Sequence, residues 1–99
     1  MAESGDKTLE CRVNYPGLRS IKKGERVKFF WEHIFLIVEI VDIRRYKTFK
    51  GMLAVEDASK LVPGMTPEQA LREYESIYPN WKVQEFGGLI VFEFKISHK

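Results

Sequence analysis

Charged side chains are concentrated near the amino end of the chain, where Lys7, Glu10 and Arg12 fall within the segment Gly5–Arg12. An ammonium and a guanidinium bind phosphate or carbonyl oxygens, and a carboxylate accepts a hydrogen bond from the amino group of a base. We therefore expect this segment to hold a polar or anionic ligand. The simpler alternative is that Glu10 and Arg12 form an ion pair on a solvated strand, which would contribute little stability.

The same segment alternates in polarity with a period of two residues, which is typical of a β-strand over residues 7–13. Thr8 lies in phase with Glu10 and Arg12, so these three share one face. The residues between them are apolar, namely Leu9, Cys11 and Val13. The pattern predicts that the apolar set enters a core while the polar set faces a shared surface.

Basic residues extend beyond this strand. The first 50 residues hold eleven Lys and Arg against seven Asp and Glu, whereas the remaining 49 hold five against seven. One basic group surrounds a turn after the first strand, at Arg19, Lys22, Lys23, Arg26 and Lys28, and a second comprises Arg44, Arg45, Lys47 and Lys50. Two basic patches that flank a cleft would suit a phosphate backbone. The alternative is that these are ordinary solvated side chains, since the net charge is only +2.

Periodicity and turn signals predict the remaining elements. Further strands are expected over 26–31, 34–45 and 89–96, the first two joined as an antiparallel hairpin, with helices from Thr48 to about Glu56 and from Thr66 to about Ile77. The second helix has a strong start, because Thr66-Pro67 is followed by Gln69. We predict an α+β fold in which a curled, mixed sheet has two or three helices packed outside it.

The segment Gly-x-Lys-x-x-Glu-x-Arg at Gly5–Arg12, with Gly24-Glu25 opening the next strand, resembles the ASCH domain family of the PUA-like superfamily. The resemblance extends nearly to the carboxyl end and implies a single domain, residues 1–99, built as a small PUA-like β-barrel. It departs at the amino end, because ASCH domains usually begin with a strand and a helix before this segment. Only four residues precede Gly5 here, so we expect that element to be cut off by truncation, absent from this protein or supplied by a partner.

The resemblance implies an RNA-binding or nucleotide-binding module, with single-stranded RNA or a modified nucleoside as its partner. The expected ligand site consists of Lys7, Thr8, Glu10, Arg12, Arg19, Lys22, Lys23 and Arg26. In this hypothesis Glu10 contacts a base, while Lys7 and Arg12 hold phosphate or carbonyl oxygens.

Two alternatives stay open. Some small bacterial ASCH proteins are amidohydrolases that deacetylate N4-acetylcytidine with a lysine, a threonine and a glutamate. Lys7 matches that lysine, but the threonine position is Glu10 and the glutamate position falls near Pro63, so any catalysis would use Lys7 and Glu10 in a different arrangement. The other alternative is a protein-interaction domain or weak homodimer, because a shortened amino end would expose apolar surface.

The sequence lacks the residue patterns of metal sites, serine hydrolases, phosphate-binding loops and membrane proteins. The two histidines, His33 and His98, do not form a metal or serine-hydrolase constellation, and no glycine-rich phosphate loop is present, so we expect no metal and no cofactor. The longest apolar run, Ile34–Val38, is too short to cross a membrane, and we find no signal peptide. A single cysteine, Cys11, is typical of a protein in the reducing cytoplasm.

Overall fold

A computed structural model describes residues 8–31 and 34–96. Four strands form one sheet: β1 (Leu9–Val13), β2 (Arg26–Trp31), β3 (Ile34–Tyr46) and β4 (Leu89–Ile96). Their order is β1-β4-β3-β2, and every neighbouring pair is antiparallel. The last strand of the chain therefore lies between the first and the third, and the sheet curls into a half-barrel.

The long strand β3 contains a bulge at Val41. Ile40 pairs with Phe94 and Asp42 pairs with Glu93, so Val41 is an additional residue without a counterpart on β4. A single extra residue exchanges the two faces of a strand, because side chains alternate with a period of two. Odd-numbered residues point outward before the bulge, and even-numbered residues point outward after it.

Three of the four described α-helices begin at a capping side chain, namely Thr48, Asp57 and Thr66. The four helices are α1 (Phe49–Leu53), α2 (Ala58–Leu61), α3 (Pro67–Ile77) and α4 (Asn80–Glu85), and a short 3-10 helix spans Pro16–Leu18. The hydroxyl of Thr48 accepts a hydrogen bond from Gly51 N–H at 3.0 Å and thereby caps α1. Thr66 and Gln69 form a reciprocal capping box at the start of α3.

The sheet separates two apolar clusters. The helices cover its outer face, where Leu9, Cys11 and Val13 of β1 are buried against residues from α1, α2, α3 and α4. On the inner face of the curled sheet lies a smaller cluster: Phe29, Val38, Ile40, Ile90, Phe92 and Phe94. Leu18 and Ile21, from the segment after β1, pack against this inner cluster. The period-two prediction for Leu9, Cys11 and Val13 is confirmed.

The predicted α+β class, the curled sheet and the outer helices are confirmed. In detail, the described sheet is antiparallel rather than mixed, and the described residues contain four α-helices rather than two or three. Helix α1 ends at Leu53 rather than near Glu56, and the short helices α2 and α4 were not predicted. A single turn of helix carries too few residues to show a periodicity of 3.6 in the sequence. No described helix has the length and apolar character needed to cross a membrane.

Candidate nucleic-acid interface

Glu10 and Arg12 point from β1 into the inner face, because they pair with Phe92 and Ile90 of β4. The carboxylate of Glu10 is buried, with 3% of the residue exposed, and forms an ion pair with the Arg12 guanidinium. The Arg12 side chain is 36% exposed, so it links the buried carboxylate to solvent. The ion pair expected as the simpler alternative is present, but it belongs to the interior of the half-barrel and not to a solvated strand.

Arg45 shares this face. It pairs with Ile90 from the opposite side, which places Arg12, Ile90 and Arg45 in one row across β1, β4 and β3. Two interstrand spacings separate the Cα atoms of the two arginines by about 10 Å. Arg45 is exposed and forms no ion pair within the described residues. From the sequence, Arg45 was expected in a basic group but not in the ligand site, because the bulge at Val41 determines its face.

The other members of the expected site around β1 are placed as follows. Lys7 lies outside the described residues, as do His33 and His98. Thr8 is half-buried, in phase with Glu10, and its carbonyl oxygen accepts a hydrogen bond from Phe94 N–H at 3.0 Å. The alternative catalytic pair of Lys7 and Glu10 thus has only its carboxylate within the described structure. Among the described residues, no group of three His, Cys, Asp or Glu side chains is arranged to hold a metal ion.

The basic residues of the turn after β1, Arg19, Lys22 and Lys23, differ in their contacts. The Arg19 guanidinium donates hydrogen bonds to the carbonyl oxygens of Asn14 at 3.0 Å and Phe86 at 3.2 Å, which ties the 3-10 segment to the loop before β4. Lys22 and Lys23 are exposed, and the Lys23 ammonium lies 3.8 Å from Asp42. Arg19 therefore has a structural role in addition to any contact with a ligand.

Arg26 lies on the opposite side of the sheet from Glu10 and Arg12. It pairs with Glu39 of β3, whose carboxylate lies 4.0 Å from the ammonium of Lys95 on β4. Lys28 follows two residues later and points the same way, with its ammonium 4.6 Å from the centre of the Phe35 ring. The two strand residues of the expected basic turn, Arg26 and Lys28, thus lie on the outer face, away from Glu10 and Arg12.

Arg44 holds a separate network on the outer face. Its guanidinium donates to both carboxylate oxygens of Glu56 at 2.6 and 2.9 Å, and to Asp42 and Glu93 at 2.9 Å each. The phenol of Tyr46 also donates to Glu56. The hydrogen bonds from Arg44 lower the pKa of Glu56. The pKa of Tyr46 is raised, mainly by burial and to a smaller extent by the hydrogen bond to Glu56. Because Arg44 is saturated by carboxylates, it is not available for a phosphate.

Comparisons with known proteins agree with this fold. A model of the ASCH domain matches residues 3–97. The crystal structure of a hypothetical protein from Pyrococcus is similar at 27% identity and a TM-score of 0.85, covering 97% of this chain and 87% of that one. The solution structure of a Pyrococcus furiosus protein is similar at 26% identity and a TM-score of 0.72, covering 95% and 84%. No functionally curated protein matches. The chain belongs to the ASCH domain family, with its PUA-like fold.

Proposed function

We propose that the inner face of the half-barrel binds single-stranded RNA, with Arg12 and Arg45 as its phosphate-binding residues. The observation that carries this proposal is the row formed by Arg12, Ile90 and Arg45, because it presents two guanidiniums on one face. Membership of the ASCH family favours the same ligand class, since these domains are generally RNA-binding modules.

The spacing of the two arginines suits an extended anion. A guanidinium carries five donors in a planar fork and binds phosphate through two parallel hydrogen bonds. With Cα atoms about 10 Å apart, the two side chains can converge on one phosphate or hold two neighbouring phosphates of a strand. Ile90 lies fully buried between them, so it supports the two arginines from the core and is not itself open to a ligand.

Glu10 acts through Arg12. Its buried carboxylate fixes one edge of the Arg12 guanidinium by their ion pair, and the donors that remain can face the ligand. A preorganised arginine loses less side-chain entropy when it binds than a free one does. Glu10 is therefore a positioning residue in this proposal.

The test is a binding titration of fluorescently labelled oligouridylate, about 12 nucleotides long, with wild-type protein and the Arg45→Gln variant. Arg45 is the better target because Arg12→Gln would also leave the buried carboxylate of Glu10 without this partner. Removing one phosphate contact should weaken binding about five- to tenfold at about 50 mM salt. It should also reduce the slope of log affinity against log salt by about 0.7.

Arg72→Gln is the matched control, because Arg72 is an exposed arginine on α3, outside the sheet. It changes the net charge by the same amount and should leave affinity and salt slope nearly unchanged. If Arg45→Gln and Arg72→Gln behave alike, the inner face is not the phosphate-binding surface. The same samples can be incubated with N4-acetylcytidine, and release of acetate would favour the amidohydrolase alternative instead.

A further inference from the structure

The outer face of the sheet carries an exposed aromatic patch where β2 and β3 extend beyond the helices. We define the aromatic patch as Phe30, Phe35 and Ile37, which are 65%, 51% and 37% exposed. Phe30 and Phe35 pair directly across the two strands, and Ile37 pairs with Lys28 in the next row. A monomeric domain seldom leaves two neighbouring phenylalanines in water unless the surface contacts something else.

The two rings lie side by side, with a cation over the face of one of them. Their centroids lie 5.7 Å apart with an interplanar angle of 49°, so the two rings do not stack on each other and part of each face stays open. The Lys28 ammonium lies 4.6 Å from the centre of the Phe35 ring. An ammonium beside open rings matches the combination by which proteins bind a base and its adjoining phosphate.

The charge around the aromatic patch identifies the class of occupant. The next row of the outer face contains Arg26, Glu39 and Lys95, so with Lys28 three cations face one carboxylate. In a symmetric pair of identical chains the same patch faces itself, which would bring these cations together. A polyanion carrying planar, stackable groups satisfies both the rings and the charge.

We propose that the aromatic patch, with Lys28 and Arg26, is a second surface for single-stranded nucleic acid, on which bases stack against Phe30 and Phe35. The ligand class rests on the function proposed above, but the surface shares no residue with the inner-face site. Stacking of this kind tolerates any base, because every base has a flat face. The second surface therefore contributes affinity and reach along a strand and not sequence preference.

The test compares two probes of equal length, about 12 nucleotides, one an oligouridylate and the other an abasic ribose-phosphate strand. The variants are Phe30→Ala/Phe35→Ala, Lys28→Ala and, as control, Trp81→Ala. Trp81 is 64% exposed on α4 and so matches Phe30 in exposure and in loss of a ring. Because both phenylalanines are largely exposed, the double variant should fold, which dispersed amide NMR signals will verify.

The double variant should bind oligouridylate at least tenfold more weakly and the abasic strand within about twofold of wild type, since only bases stack. Lys28→Ala should weaken both probes. An equal loss on both probes, or no loss on either, would overturn the proposal. So would a wild-type dimer that Phe30→Ala/Phe35→Ala converts to monomer, because the patch would then be a self-association surface.

The two proposals fail in distinguishable ways. Loss of binding in Arg45→Gln but not in the phenylalanine double variant refutes the second surface and leaves the inner site standing. The reverse pattern refutes the inner site and leaves the aromatic patch as the binding surface. Absence of binding by wild-type protein refutes both.

Discussion

At the scale of single residues, the two neighbouring arginines Arg44 and Arg45 show how position decides role. Arg44 points outward, and its guanidinium donates hydrogen bonds to Glu56, Asp42 and Glu93. Arg45 points inward and has no ion pair among the described residues. One is therefore part of the stabilising framework, and the other is free to meet a ligand in the function proposed here.

The ion pair between Arg44 and Glu56 should make the stability of the protein depend on pH in the acid range. Arg44 lowers the pKa of Glu56 below its usual value near 4.5, so the folded state prefers the ionised carboxylate. This contribution is fully present above that usual value and is lost as the pH falls through the lower, folded-state pKa. Glu56→Gln should cost about 2 kcal/mol near pH 7 and clearly less near pH 3, as measured by urea unfolding.

Glu75→Gln provides the comparison, because Glu75 is an exposed carboxylate on α3. Its unfolding free energy should follow that of wild type within about 0.5 kcal/mol at both pH values. A cost of Glu56→Gln that is the same at both pH values would show that ionisation of Glu56 is not what stabilises the network.

At the scale of elements, the loop before β4 passes very close to the backbone at the end of β3. Gly87 and Gly88 both have positive φ angles, at 78° and 118°, which L side chains rarely adopt. A Cβ atom on Gly88 would lie 2.2 Å from the carbonyl oxygen of Tyr46 at the end of β3. The glycine pair thus lets α4 turn directly into the central strand of the sheet.

Gly88→Ala should destabilise the protein by at least about 2 kcal/mol, because it combines an unfavourable φ with a clash against backbone. Gly17→Ala is the control, since a Cβ atom at Gly17 meets nothing within 4 Å. Thermal unfolding of both variants measures the difference. Equal melting temperatures would mean that β3 and the loop can move apart without cost.

At the scale of the whole molecule, the sheet presents basic residues on two opposite surfaces. Arg12 and Arg45 lie on the inner face, whereas Arg26, Lys28 and Lys95 lie on the outer face. A net charge of +2 is modest for a nucleic-acid-binding domain, so the distribution matters more than the total. The two surfaces proposed here each have a small excess of positive charge.

Opposite faces should bind short strands independently. With an oligouridylate of about four nucleotides, Arg45→Gln should reduce amide NMR shifts on the inner face and leave those around Phe30 and Phe35 unchanged. The phenylalanine double variant should do the converse. Reduced shifts on both faces in either variant would indicate one continuous site or a conformational change that links the two.

The sequence by itself determined the features that depend on neighbouring residues. Alternation in 8–13 assigned Leu9, Cys11 and Val13 to one face, and Thr48 and Thr66 predicted two helix starts, because caps and periodicity act within a few residues. The Gly-x-Lys-x-x-Glu-x-Arg segment, together with the similarity along the rest of the chain, indicated the ASCH family.

Only the tertiary structure decided which side chains meet. The bulge at Val41 reversed the faces of β3, so the sequence pattern alone could not separate Arg44 from Arg45. Strand register places Arg12 and Arg45 on either side of Ile90. The ion pair between Arg44 and Glu56 joins residues from two different elements. Such contacts depend on the packing of the whole domain, and local periodicity in the sequence does not predict them.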